Sequence, residues 1–164
     1  MRIRPSSRLI ILSPENHVLL FSFFHKGDAL SGKSYWATPG GGLEDQESYE
    51  QAALRELFEE TGLTRKTPGP QIASRNFTMM LPDGETVLAK ERFFIIYAEK
   101  SDPDASGWSS NEKEVIRGHH WWSSEELRNS DETIFPRELI INILENKLAG
   151  SSALTPPKCA NGVK

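Results

Sequence analysis

The 164-residue sequence has a single cysteine, Cys159, so no internal disulfide can form and a zinc site built on several cysteines has no ligands. Long apolar runs are missing too. Arg2, Arg4 and Arg8 lead into Leu9 to Leu12, but Ser13-Pro14-Glu15 interrupts that run at once. It is too short for a signal-peptide core, and no other stretch approaches a membrane span. The expectation is a cytoplasmic protein without a membrane partner. Positive charge is not in excess either: 19 Lys and Arg stand against 23 Asp and Glu, a net of -4. This argues against a nucleic-acid polymer as partner, because sequence-independent binding needs a basic face. A small anion held by a metal or by a few cations is still allowed. What is present, 37% hydrophobic and 26% charged residues, fits one globular domain at this length.

The chain divides by its turn signals. Leu9 to Leu12 and Val18 to Phe24 flank Pro14-Glu15-Asn16 and read as a strand pair. Phe77 to Leu81 and Thr86 to Tyr97 repeat that logic around Asp83-Gly84. Between them Ser48-Tyr49-Glu50-Gln51 fits a capping box, Ala52, Ala53, Leu54, Leu57 and Phe58 give a helical stripe, and Gly62 marks its end. A second helix fits Arg137 to Leu148, and a helical turn fits Ser124 to Arg128. Residues 1–149 read as one domain and 150–164 as a loose tail. Strands bracketing a helix, then more strands and a closing helix, predict an α/β protein with helices packed on a mixed sheet.

Gly27-Asp28-Ala29-Leu30-Ser31-Gly32-Lys33-Ser34 satisfies a phosphate-loop pattern, which would make the chain an NTPase. The pattern works only if a helix opens at the Lys-Ser end. Here Tyr35-Trp36-Ala37-Thr38-Pro39-Gly40-Gly41-Gly42 follows, and one proline with three glycines cannot form a helix interior. The segment reads as a surface loop from which Lys33 could reach a substrate phosphate.

Acidic residues concentrate in one place. Residues 41–63 hold seven acids and one base, Arg55, a net of -6, so the other residues carry +2. Glu56, Glu59 and Glu60 fall within about 100° of one another on a helix. Like charges so placed destabilise an isolated helix by roughly 0.2 to 0.5 kcal/mol per pair. Clustered hard oxygen ligands without His or Cys suit Mg²⁺ or Mn²⁺, which turns repulsion into coordination. Arg55 is placed to orient a carboxylate, and Glu47 to hold Arg55.

Gly41, Glu47, Arg55, Glu56, Leu57, Glu59, Glu60, Gly62 and Leu63 fill every fixed position of the Nudix box. Seven such identities arise by chance about once in 10⁸ start positions. The chain therefore resembles the Nudix hydrolases. Trp36 to Gly42 is similar to the family's lead-in, and His120 to Leu127 to its aromatic strand and short helix. The resemblance implies an α/β/α sandwich around a mixed sheet and hydrolysis of a nucleoside diphosphate linked to another moiety. It implies Glu56, Glu59 and Glu60 as metal ligands with the Gly40 carbonyl, Glu56 as the base that activates water, and a further carboxylate ahead of the downstream tryptophans. For that carboxylate Glu114 is preferred and Glu112 is second; in an extended segment both would point the same way. Gly41, Lys33, Arg8 and Phe23 are candidate substrate contacts, with Arg75 and Arg92 beside them on the sheet. The partner implied is a small nucleotide: a nucleoside triphosphate, ordinary or oxidised, ADP-ribose or a nucleotide sugar. A homodimer is compatible with the family. The rival reading is a Nudix-fold nucleotide sensor without catalysis, which would be expected to have lost box carboxylates. Trp36 and Trp121 read as packing residues, and adjacent His119 and His120 face opposite ways in a strand.

Overall fold

The computed structural model describes the backbone of residues 1–149 and side chains as far as Asn146. The expected tail, with Cys159, and the Leu148 side chain lie outside the described residues. The strands are β1 (Arg2–Leu12), β2 (Val18–Phe24), β3 (Ser34–Ala37), β4 (Gly40–Gly42), β5 (Gln71–Met80), β6 (Thr86–Tyr97), β7 (Ile116–Trp122) and β8 (Ile134–Phe135). The helices are α1 (Tyr49–Thr61), α2 (Ser110–Val115), α3 (Ser124–Asn129) and α4 (Arg137–Ala149). All strands join one sheet in the order β5-β6-β1-β2-β3-β8, with β4 on β1 and β7 on β2. Two contacts, β1 with β6 and β3 with β8, are parallel and the others antiparallel.

Alternation along β1 builds the sandwich. Leu9 and Ile11 pack against Ala53 and Leu57 of α1, while Ile10 and Leu12 pack against Ile140, Ile143 and Leu144 of α4. Both faces of this strand are buried, which is why it reads as an unbroken apolar run. It also extends over the polar residues from Arg2, because parallel pairing with β6 runs from Arg2↔Val87 to Leu12↔Tyr97. No local signal announces that half. Both predicted hairpins form, with Leu12 opposite Val18 and Met80 opposite Thr86.

The main helix has the expected ends. Ser48 accepts from the Gln51 N–H, the Gln51 side chain answers the Ser48 N–H, and Gly62 closes the helix at φ 82°. The segment after Gly32-Lys33 is β3, paired to β2, so the phosphate-loop alternative lacks the helix N-terminus it requires. Trp36 and Trp121 pack against the two sides of the core, and His119 and His120 turn to different carboxylates, Asp102 and Glu126. Among the described residues no helix is long and apolar enough to cross a membrane.

Candidate functional site

β4 is a strip without side chains laid between β1 and α1. A Cβ on Gly40, whose φ is 139°, would lie 2.2 Å from the Ser7 carbonyl oxygen. One on Gly41 would lie 2.5 Å from Glu56 Oε2. Any larger residue would push the strip off the carboxylates beneath it.

Glu56 and Glu60, one turn apart, share the inward face of α1 with Ala53 and Leu57, and are only 7% and 4% exposed. Glu60 Oε1 accepts from the Gly40 N–H at 2.9 Å. The segment before α2 docks on the end of the same helix: the Asp104 N–H donates to the Thr61 carbonyl at 3.1 Å and Trp108 Nε1 to the Glu60 carbonyl at 2.9 Å. Trp108 also meets Phe21 edge-on, with ring centroids 5.8 Å apart. This docking delivers α2, and one carboxylate oxygen from each of Glu56, Glu60 and Glu112 falls within 4.8 Å of the others.

Glu112, not Glu114, joins Glu56 and Glu60. The segment is helical, so residues two apart diverge by about 200°; Glu114 is exposed and outside the cluster. An available signal was the Ser109-x-x-Glu112 capping box ahead of Val115, which forms with the Glu112 N–H on Ser109 Oγ and the Ser109 N–H on Glu112 Oε1. Trp108, which holds this segment against α1, carried no sequence signal of that role.

Arg55 ties the helix to its approach loop. Its Nε and Nη2 donate to the two oxygens of Glu47 at 2.7 and 2.8 Å, Nη1 donates to Glu56 at 2.9 Å and Glu59 at 3.1 Å, and Nη2 also reaches the Gly42 carbonyl at 2.9 Å. Glu59 is half-exposed and touches Arg55 rather than the other carboxylates. Lys33 is exposed on the loop before β3. Arg8 pairs with Glu91 at 3.0 Å, and Arg92 stacks on Tyr49. Phe23 stacks on Tyr35 and packs with Phe21, Val115 and Ile116.

The electrostatics of the cluster are unbalanced. Burial raises the Glu56 carboxyl, with Arg55 opposing. Glu60 stands well above the ordinary value near 4.5: burial is the largest cause, followed by the Glu112 hydrogen bond and the Glu56 and Glu112 charges, with the Gly40 N–H opposing. Glu47 is lowered by its hydrogen bond to Arg55. Among the described residues no cation forms an ion pair with Glu60. A buried acidic set of this kind, all hard oxygen donors, fits a divalent cation.

A pH dependence follows. The folded chain holds the Glu60 proton more tightly than the unfolded chain does. That contribution is therefore complete below about pH 4.5 and is lost as the pH rises through the raised folded value. In EDTA the thermal midpoint of the wild type should fall relative to Glu60→Gln as the pH is raised from about 5 to 8. Added Mg²⁺ or Mn²⁺ should reverse that fall. Differential scanning fluorimetry measures this, and parallel pH profiles for the two proteins would contradict it.

Residues 2–142 match the family model described as NUDIX domain. The RNA pyrophosphohydrolase of Proteus mirabilis is 32% identical over 129 residues, which cover 73% of this chain and 69% of that protein. The RNA pyrophosphohydrolase of Wolbachia sp. subsp. Brugia malayi is 39% identical over 61 residues, 37% of this chain and 34% of that protein. The chain thus spans about a third of the length of the Wolbachia relatives it matches. In structure it is similar to the MutT protein from Methanosarcina mazei, with a TM-score of 0.67 at 21% identity over 90% of this chain and 96% of that one.

Proposed function

Because the chain belongs to the NUDIX family, we propose that it is a divalent-metal-dependent pyrophosphohydrolase that cleaves a nucleoside diphosphate linked to another moiety. The observation that carries this reading is the convergence of Glu56, Glu60 and Glu112 within 4.8 Å at the Gly40–Gly42 strip. These three carboxylates would hold Mg²⁺ or Mn²⁺, with Glu59 and the Gly40 carbonyl as further ligands. When bound, the ion neutralises pyrophosphate oxygens and acidifies water. Glu56 is the base that takes a proton from the attacking water. Its raised carboxyl value brings its basicity closer to what neutral-pH proton transfer needs. Arg55 aims Glu56 and Glu59, and Glu47 holds Arg55 in register. Gly41 leaves room for the Glu56 carboxylate. Lys33 and Phe23 are secondary candidates for substrate contact. A single unit over 1–149, a cytoplasmic location and a homodimer complete the proposal.

The substrate proposed is a small nucleotide: a nucleoside triphosphate, ordinary or oxidised, ADP-ribose or a nucleotide sugar. The names of the Proteus and Wolbachia relatives favour a second reading, in which the diphosphate lies at the 5′ end of an RNA. A turnover screen with Mg²⁺ tests both. It would include nucleoside triphosphates, ADP-ribose, nucleotide sugars and a 5′-triphosphorylated RNA oligonucleotide, reading released phosphate, pyrophosphate or nucleotide products. Turnover of at least one class is expected. Turnover of none would favour a nucleotide sensor over an enzyme.

A further inference from the structure

On the sheet, one buried carboxylate braces two guanidinium groups. Glu91 of β6, with a side chain 5% exposed, accepts from Arg8 Nε of β1 at 3.0 Å and from Arg75 Nε of β5 at 3.1 Å. The other donors of the two forks make one long contact, from Arg8 Nη1 to the Thr38 carbonyl at 3.4 Å. The two groups are thus fixed in place with hydrogen-bonding capacity left over.

Arg4 is a third cation on the same face of β1. Ser7 turns towards α1, where it donates to the Tyr49 carbonyl, so Arg4, Ser6 and Arg8 take the opposite parity. Arg4 is half-buried, and its guanidinium makes no hydrogen bond, ion pair or ring contact among the described residues. Its Nη2 would come within 3.2 Å of a Cβ on Gly42, so it lies over the strip that borders Glu56. Between Arg4 and Arg8, Ser6 is completely buried and its Oγ has no partner. A half-buried guanidinium without a hydrogen-bonded partner and a buried hydroxyl without one both cost stability. An anion at this place would supply the missing partner to the guanidinium. Three arginines against Glu91 leave two positive charges in excess beside the carboxylate cluster.

We propose that Arg4, Arg8 and Arg75, braced by Glu91 as a positioning residue, form a subsite for a substrate phosphate other than the one attacked. The substrate class is then a nucleotide with three or more phosphates rather than ADP-ribose or a nucleotide sugar. Arginine forks suit this because they bind phosphate oxygens through paired N–H donors. The inference rests on the pyrophosphohydrolase reading, but its binding step is measurable without it. The carboxylates need a cation before they tolerate phosphate, whereas the arginines do not.

Isothermal titration of the full chain in EDTA with inorganic tripolyphosphate and with pyrophosphate tests the subsite. Wild-type protein should bind tripolyphosphate about fivefold or more tightly than pyrophosphate, and Arg4→Ala should weaken tripolyphosphate at least about tenfold, the loss of one charge-assisted contact. The thermal midpoint of Arg4→Ala should be unchanged or higher, because Arg4 has no direct hydrogen bond or ion pair to lose; a purely structural arginine would lower it. Absence of tripolyphosphate binding, equal affinity for the two anions, or an Arg4→Ala affinity within twofold of wild type would overturn the subsite. Tripolyphosphate binding through Arg4 by a chain that turns over no phosphoanhydride would contradict the pyrophosphohydrolase reading alone. Turnover of a nucleoside triphosphate by Arg4→Ala at the wild-type kcat/KM would contradict the subsite alone.

Discussion

Glu56→Gln should lower kcat by about a thousandfold, the scale of losing a positioned base together with a carboxylate of the cation site. The fold should survive. The amide keeps the size of the carboxylate and can still accept from Arg55 Nη1, and in the metal-free protein burial already favours a neutral group at this position. Thermal stability in EDTA should therefore be equal or higher. The two roles separate in a cation titration of the rate: excess Mg²⁺ recovers kcat if Glu56 is only a ligand, and fails to do so if it is the base. A loss below tenfold at saturating Mg²⁺ would remove Glu56 as the base, and an unchanged Mg²⁺ requirement as well would remove it from the cation site.

Arg55→Ala should be the most damaging change outside the carboxylates. The side chain is 19% exposed and joins Glu47, Glu56, Glu59 and the Gly42 carbonyl. Removing it leaves partly buried carboxylates facing one another without a cation, a cost of about 3 kcal/mol for breaking such a set. It also releases the approach loop from α1, so activity should fall by about a hundredfold, as for misplaced catalytic groups. Arg55→Lys should rescue little, since one ammonium cannot grip both Glu47 oxygens while also reaching Glu56 and Gly42. Urea denaturation and steady-state rates measure the two effects, and a Lys variant with wild-type stability and rate would contradict the bracing role.

The legible parts of the molecule were those written locally. The boundaries of α1 follow from Ser48 and Gly62, and the hairpins from their turn residues, because capping and turn chemistry act within a few residues. The acidic face of the helix was legible for the same reason. Features built by distant pairing were not. Glu91 lies 83 positions from Arg8 and meets it only because β1 and β6 run parallel side by side. An extended reading of 112–114 points Glu112 and Glu114 the same way and cannot separate them, whereas a short capped helix does separate them and turns Glu112 inward. The stacking of Phe23 on Tyr35 likewise comes from the pairing of β2 with β3 rather than from any neighbour in sequence.

The charge pattern gains a physical meaning from the fold. The excess acidity of residues 41–63 gathers at β4 and α1, and the positive residues Arg4, Arg8 and Arg75 stand beside it on the sheet. A cation at the first and an anion at the second would satisfy both, which is what binding a metal-complexed polyphosphate requires.

The central claim is that Glu56, Glu60 and Glu112 together hold the divalent ion. Isothermal titration with Mn²⁺ near neutral pH, on wild type, Glu60→Gln, Glu112→Gln and Glu114→Gln, tests it without any substrate. The account predicts that Glu60→Gln and Glu112→Gln each weaken Mn²⁺ at least about tenfold, as loss of a hard oxygen ligand should, while Glu114→Gln binds as wild type does. Wild-type protein that takes up no Mn²⁺, or a loss at Glu114 with none at Glu112, would contradict it.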